Sequence, residues 1–234
     1  MSLLVLPFLF AGCKKSATLA KLEEKPSLAT PGAAVSEASA AASPVTTPAP
    51  MPAIDRSAKV MVLCYHRFED NPRDALAIAP AEFRTQMQQL KDAGIQVVTM
   101  KDFLAWRRGE RSIPSKSAVI TIDDGYVSGY SVAWPILKEF GYPFTMFIYT
   151  NYVNVGGKSI TWAMLEDMRD AGVDIESHTV SHHDLRHAPK GQDYTSWLHN
   201  ELYTSKDILE QKLGIKIVAF AFPYGTHNEV VRKM

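Results

Sequence analysis

From residue 59 onward, short runs rich in β-branched and apolar residues alternate with longer stretches whose apolar positions recur every three or four residues. The runs predict strands at 59–65 (KVMVLCY), 95–100 (IQVVTM), 117–122 (SAVITI), 143–149 (PFTMFIY), 172–177 (GVDIES) and 215–222 (IKIVAFAF). The stretches between them predict helices at 80–93, 101–108, 129–140, 161–171 and 195–213. Phe83, Met87 and Leu90 share one face of the first helix, and Leu198, Leu202, Leu209 and Leu213 fall in helical register in the last. Gly94, Gly141, Gly172 and Gly214 stand where a left-handed residue closes a helix. Strands alternating with helices imply an α/β fold on a parallel sheet, either open or closed into a barrel. In both architectures ligands gather at the C-terminal ends of the strands.

The pattern breaks down before residue 58. Residues 14–57 are dominated by Ala, Ser, Thr and Pro and contain no aromatic residue, so they cannot bury enough surface to offset their ordering entropy; they are expected to form a flexible tether. The first thirteen residues, MSLLVLPFLFAGC, are apolar but shorter than the roughly 18–20 residues that span a bilayer, which points to a processed export signal. The end FAGC resembles the bacterial lipobox, in which the cysteine, here Cys13, is lipidated and becomes the mature N-terminus. It departs from that pattern at Phe10, where Leu is usual, and in having no Lys or Arg ahead of the apolar run. An ordinary cleaved signal or a buried N-terminal segment is the alternative. The expected organisation is therefore a signal at 1–13, a tether at 14–57 and a folded domain at 58–234. Its expected setting is the bacterial cell envelope, as an exported lipoprotein anchored to a membrane on the periplasmic or outer-membrane face or at the cell surface.

Composition narrows the partners. Of 234 residues 46% are hydrophobic, enough for a sizeable core. Lys plus Arg and Asp plus Glu both number 25, so no basic field argues for nucleic acid, and a neutral substrate is favoured. Apart from Cys13 the one cysteine is Cys64, within an apolar run, which excludes a disulfide framework.

Four polar or turn-forming clusters directly follow predicted strands and so converge on one rim: His66 (LCYHRF), Asp123 and Asp124 (ITIDDGY), the histidine cluster IESHTVSHHDLRH, and FPYG at 222–225. Two adjacent carboxylates at the end of an apolar strand are costly to bury unless a cation or hydrogen bonds compensate. Asp-Asp-Gly alone would equally suit a helix cap and turn. His178 and His182 stand four apart, the spacing that brings two imidazoles to one side of a helical turn. Alone they could be surface residues of a polar loop. Together with one carboxylate they make a three-ligand open metal site. His183 and His187 face differently and are expected to be bystanders or to support the ligands from behind. Residues 155–159 (VGGKS) end like a phosphate-binding loop, but that pattern needs Gly where Tyr152 stands; GxSxG, HExxH, GxGxxG and CxxC are absent.

With TIDDG, HTVSH and PYG in this order, each after a strand, residues 59–234 resemble the polysaccharide deacetylase family, the NodB-like carbohydrate esterases. LCYHRF and FAFPYG are most similar to the branch that deacetylates exported poly-N-acetylglucosamine. The resemblance implies a distorted (β/α) barrel with fewer than eight strands and a divalent metal, Zn²⁺ foremost, with Co²⁺, Ni²⁺ or Fe²⁺ also suited. Its substrate would be an N-acetylated glycan. Carried over by position, Asp124, His178 and His182 would bind the metal and Asp123 would be the general base. The backbone N–H of Tyr224 would help stabilise the oxyanion. Ala221 stands where the family usually has an Arg that orients the catalytic Asp, and the later Leu-x-His segment that supplies the general acid has no counterpart. The domain is thus expected to be C-terminally incomplete, with His66 on the same rim as candidate acid; the alternative is that His66 only bonds a neighbouring strand. Tyr65, Tyr126, Tyr149 and Tyr224 could stack on sugars, most of them being expected to be packing residues. An O-acetyl esterase on xylan or peptidoglycan and a carbohydrate-binding pseudoenzyme are the competing functions.

Overall fold

The run Lys116–Asp123 buries seven of its eight residues, the mark of a strand covered on both faces. It is the centre of the sheet in the computed structural model, which describes residues 53–234. In chain order the strands are β1 (Lys59–Tyr65), β2 (Arg67–Phe68), β3 (Ala77–Ile78), β4 (Gln96–Val97), β5 (Lys116–Asp123), β6 (Thr145–Ile148) and β7 (Asp174–Ser177). The α-helices are α1 (Pro80–Asp92), α2 (Met100–Arg108), α3 (Trp134–Phe140), α4 (Trp162–Asp170), α5 (Tyr194–His199), α6 (Ser205–Leu213) and α7 (Glu229–Lys233). The main sheet is parallel throughout, in the order β1-β5-β6-β7. β4 pairs with Ser117 and Ala118 of β5, the residues that also pair with β1, so β4 lies on the opposite edge. The expected α/β class and parallel sheet hold, with five strands in the main sheet.

The period of two along β5 divides its side chains. Ala118, Ile120 and Ile122 pack with Phe83, Met87 and Leu90 of α1 and Ile136 and Leu137 of α3. Val119 faces the other way, onto Phe147, Ala219, Ala221, Val60 and Val62. Asp123, two pairs beyond Val119, therefore emerges on this inner face at the C-terminal end of the strand. Covering both faces leaves the stretch Ser117–Ile122 without a charged residue, which is why β5 is so readable.

Besides the expected helix 129–140, which opens with a π-helical turn at Gly129–Ala133 ahead of α3, three expected elements differ. The run 95–100 is a strand only at Gln96–Val97, because Thr99 caps α2 by accepting the N–H of Asp102 at 3.0 Å and Met100 opens that helix. The run 215–222 is not a strand: it touches β7 through a single bridge, Ser177 to Phe220, with the Ala221 N–H donating to the Ser177 carbonyl at 3.1 Å. Its preceding ladder positions are taken by a side chain. The buried Glu176 carboxylate accepts the N–H groups of Val218 and Ala219 through one oxygen, each at 2.9 Å. The third difference is in the expected helix 195–213, which is interrupted by a π-helical turn at Asn200–Thr204 between α5 and α6.

The expected signal at 1–13 and nearly all of the tether at 14–57 lie outside the described residues. The tether's last residues are already held: Ser112 Oγ accepts the Asp55 N–H at 2.8 Å and Trp106 Nε1 donates to the Asp55 carbonyl at 3.1 Å, so packing starts a few residues before the expected boundary. Among the described residues no helix is long and apolar enough to cross a membrane.

Candidate metal centre and catalytic rim

Four of the five described non-glycine residues with positive φ stand on the rim: Asp124 (75°), Thr179 (79°), His182 (60°) and Tyr224 (59°). Such conformations cost about 1–3 kcal/mol each and persist only where surrounding structure enforces them. Asp124 turns left-handed directly after β5, which aims successive carboxylates in different directions. His178 directly follows β7, but the residues after it form no helix. Thr179 and His182 are left-handed, and Thr179 Oγ1 accepts the His182 N–H at 2.8 Å. The expected helical turn is thus replaced by a tight loop that brings the same two rings together, with centroids 4.8 Å apart.

His178 Nε2 lies 3.4 Å and His182 Nε2 3.0 Å from Asp124 Oδ1. That oxygen is nevertheless buried without a hydrogen bond of acceptable geometry, and one ligand atom from each of the three residues lies within 4.8 Å of the other two. On the far side of the His178 ring, Nδ1 donates to the Ala221 carbonyl at 2.8 Å, which places the free lone pair on Nε2. Three donor atoms of the right kinds, one tautomer fixed from behind and one orphaned oxygen fit a divalent cation. Burial works to raise the Asp124 carboxyl, but the two imidazoles overcome it and hold it well below the usual carboxylate range. Burial likewise opposes a charged His178, yet Asp124 and Asp123 hold its proton more tightly than an ordinary imidazole would.

Asp123 belongs to neither of these contacts. It is buried, its Oδ1 has no partner, and its Oδ2 accepts the Cys64 thiol at 3.2 Å. Burial pushes the carboxyl upward, opposed by the charges of His178 and His66. Burial also pushes the Cys64 thiol upward, which makes it the donor in that bond. His66, between β1 and β2, comes within 4.8 Å of both Cys64 and Asp123, so the expected base and the expected acid are neighbours. No Arg approaches Asp123 through position 221. The Ala221 backbone serves His178 there instead.

The rim continues as an arc of rings. Tyr126 meets Tyr152 edge-on at 5.4 Å, Tyr152 stacks on Tyr149 at 5.2 Å, Tyr149 lies 5.1 Å from His182, and His182 meets Tyr224 at 4.8 Å. Arg67 covers Tyr126 at 5.6 Å. Tyr65 is not part of the arc. It packs on Phe83 and donates to Gln86 at 2.7 Å, so it is a packing residue, whereas Tyr152, which the sequence reading passed over, is on the rim.

Glu201 was also passed over. It is buried within the π-helical turn and accepts the N–H groups of Val180 at 3.1 Å and Ser181 at 2.9 Å, and the Ser181 hydroxyl at 2.6 Å. Since that hydroxyl gives its proton to Glu201, His183 Nδ1 must donate to it, at 2.6 Å. His183 therefore supports the loop from its exposed side, and His187 is exposed. A charged residue in the apolar stripe of Leu198, Leu202 and Leu209 was the available signal for Glu201. Glu201→Ala should strand two N–H groups behind the His178–His182 loop and weaken metal binding by about 10–100-fold, read by competition with a chelator. Unchanged affinity would show that the loop holds its shape alone.

The polysaccharide deacetylase family pattern matches residues 110–234. YxkH of Bacillus subtilis (strain 168) is 28% identical over 180 residues, covering 76% of this chain and 61% of that protein. The poly-beta-1,6-N-acetyl-D-glucosamine N-deacetylase of Staphylococcus epidermidis is 29% identical over 164 residues, 65% of this chain and 55% of that protein. The chain thus spans 55% to 61% of the length of these curated relatives. Among solved structures, the Streptococcus pyogenes deacetylase PplD in complex with acetate superposes with a TM-score of 0.68 at 26% identity, covering 76% of this chain and 79% of the other. IcaB from Ammonifex degensii superposes with a TM-score of 0.66 at 27% identity, covering 74% and 78%. With the family pattern matched over just over half its length, and the TIDDG and HTVSH residues meeting at one rim, the chain belongs to the polysaccharide deacetylase family.

Proposed function

We propose that this chain removes N-acetyl groups from a poly-N-acetylglucosamine-like polysaccharide of the bacterial envelope by metal-assisted hydrolysis. One observation carries the reading: of two adjacent carboxylates at the end of β5, Asp124 points into a convergent three-ligand set while Asp123 keeps a buried oxygen without a partner. The relatives named as poly-beta-1,6-N-acetyl-D-glucosamine N-deacetylases support the substrate class.

In this reading Asp124, His178 and His182 hold a divalent ion, Zn²⁺ by ligand type, with Co²⁺, Ni²⁺ or Fe²⁺ also suited. Bound there, the ion supplies a Lewis acid that polarises the amide carbonyl and acidifies water. Asp123 takes the proton of the attacking water, and its burial strengthens it as a base. The backbone N–H of Tyr224, in the left-handed turn beside His182, stabilises the negative charge that develops on the carbonyl oxygen. His66 protonates the departing nitrogen, so the C–N bond breaks to leave acetate and a free amine. Tyr126, Tyr149, Tyr152 and Tyr224 give apolar faces for a sugar ring. The neutral amide suits a chain with zero formal charge. The segments before the catalytic domain, a signal at 1–13 ending in a lipidated Cys13 and a tether at 14–57, would hold it at the envelope.

Protein stripped with a chelator should release no acetate from β-1,6-linked N-acetylglucosamine oligomers, and restoring one equivalent of Zn²⁺ or Co²⁺ should restore release. Acetylated xylan run in parallel separates the alternatives. Acetate from the esters but not the amides would make the chain an O-acetyl esterase, and oligomer binding without acetate would make it a carbohydrate-binding module.

A further inference from the structure

The face of the sheet that carries Asp123 holds a second set of metal-ligating atoms. Cys64 pairs with Thr121 across β1 and β5, so its side chain stands on the same face as Thr121 and Asp123. Its sulfur is 3.2 Å from Asp123 Oδ2, and one ligand atom from each of Cys64, His66 and Asp123 lies within 4.8 Å of the other two. The second Asp123 oxygen is buried and unpartnered. The Cys64 thiol is largely enclosed although the residue as a whole is open to solvent, and with His66 it lines a cleft of about 260 Å³ bounded by Leu76, Ile78 and Glu82, which gives an ion its way in.

We infer that Cys64, His66 and Asp123 form a second, thiophilic metal site beside the Asp124–His178–His182 set, and that a Zn²⁺-class ion bound there silences the enzyme by occupying its base and its acid together. Thiolate, imidazole and carboxylate are the three side-chain ligand types that Zn²⁺ accepts. Bonds of about 2.0–2.3 Å in a tetrahedron put ligand atoms roughly 3.5 Å apart. The sulfur-to-carboxylate gap already fits, and the half-buried His66 ring lies within 4.8 Å of both partners, so it has at most about 1.3 Å to close. Binding displaces the thiol proton to solvent and forms a metal–sulfur bond, with no change of oxidation state. The first set contains no thiol to deprotonate, so the second site fills after it, at excess metal. The enzyme is accordingly active with one ion and inhibited with two. The inhibitory half of this inference rests on Asp123 as base and His66 as acid; the site itself does not.

Chelator-stripped full chain titrated with Co²⁺ should bind two ions, with the thiolate-to-cobalt charge-transfer absorption appearing only with the second. His182→Ala, which removes a ligand of the first set, should keep that band, and Cys64→Ala should lose it. Alkylation by iodoacetamide, read at the Cys64 peptide, should slow on the order of tenfold or more when the second ion is present. Saturation at one ion without the band, or a band that survives Cys64→Ala, overturns the site, and a band that rises with the first ion overturns the order of filling. If two-ion protein deacetylates at an undiminished rate, the inhibitory half is overturned and the assignment of Asp123 and His66 as base and acid falls with it.

Discussion

Asp123→Asn lowers the rate of acetate release by two to four orders of magnitude, the usual contribution of a positioned general base, while the protein retains its metal. The substitution keeps the shape of the side chain and an oxygen that can accept the Cys64 thiol, so packing at the end of β5 is undisturbed. What it removes is the capacity to take a proton. Metal is retained because Asp124, His178 and His182 supply the convergent atoms and Asp123 is not among them. KM should change little, since the loss is felt in the transition state. Steady-state kinetics beside metal analysis checks both halves. Full activity in the variant refutes the base assignment, and loss of the ion would mean that Asp123 is itself a ligand.

The second large effect is on stability. Glu176→Ala leaves the buried N–H of Ala219 unpaired, at about 1–3 kcal/mol, and that of the more exposed Val218 at a smaller cost, and should lower the urea midpoint accordingly. Glu176→Gln keeps an acceptor for both and removes the ionisation. Burial pushes the Glu176 carboxyl up to about 8 from an ordinary value of 4.5. Between those values the unfolded chain has lost the proton and the folded chain keeps it, so the Glu176 contribution is complete below the lower value and declines as pH rises toward the upper one. In chelator, the wild type should therefore lose stability relative to Glu176→Gln by about 1.4 kcal/mol per pH unit across that window. Parallel stability curves for the two proteins would show that Glu176 ionises freely in the fold.

Glu176 also shows where sequence reading reaches its end. Periodicity reports burial, and by that measure both β5 and 215–222 read as strands, since apolar residues dominate each run and most of them are buried. It does not report which group accepts a backbone N–H, and at 218 and 219 that group is a carboxylate two residues before a metal-ligand candidate. At 95–100 two signals competed, and the Thr99 cap with Asp102 three residues on outweighed the apolar run. The metal-ligand candidates were legible because their chemistry is rare and each follows a strand whose end could be placed. The loop carrying His178 and His182 was not, because left-handed Thr179 and His182 leave no mark in the residue types. Cys64 was read only as part of an apolar run. Its closeness to Asp123 follows from the pairing of β1 with β5, which spacing along the chain cannot disclose.

The left-handed residues of the rim have an evolutionary consequence. Glycine at Thr179 or Tyr224 would relieve local strain while giving up the hydroxyl that ties down His182 or the ring that flanks it. A lineage, or a laboratory library, screened for heat tolerance without its substrate would be rewarded for such replacements first. Its catalytic rim would then decay before its core did, so thermal hardiness alone is a poor guide to which homologues still work.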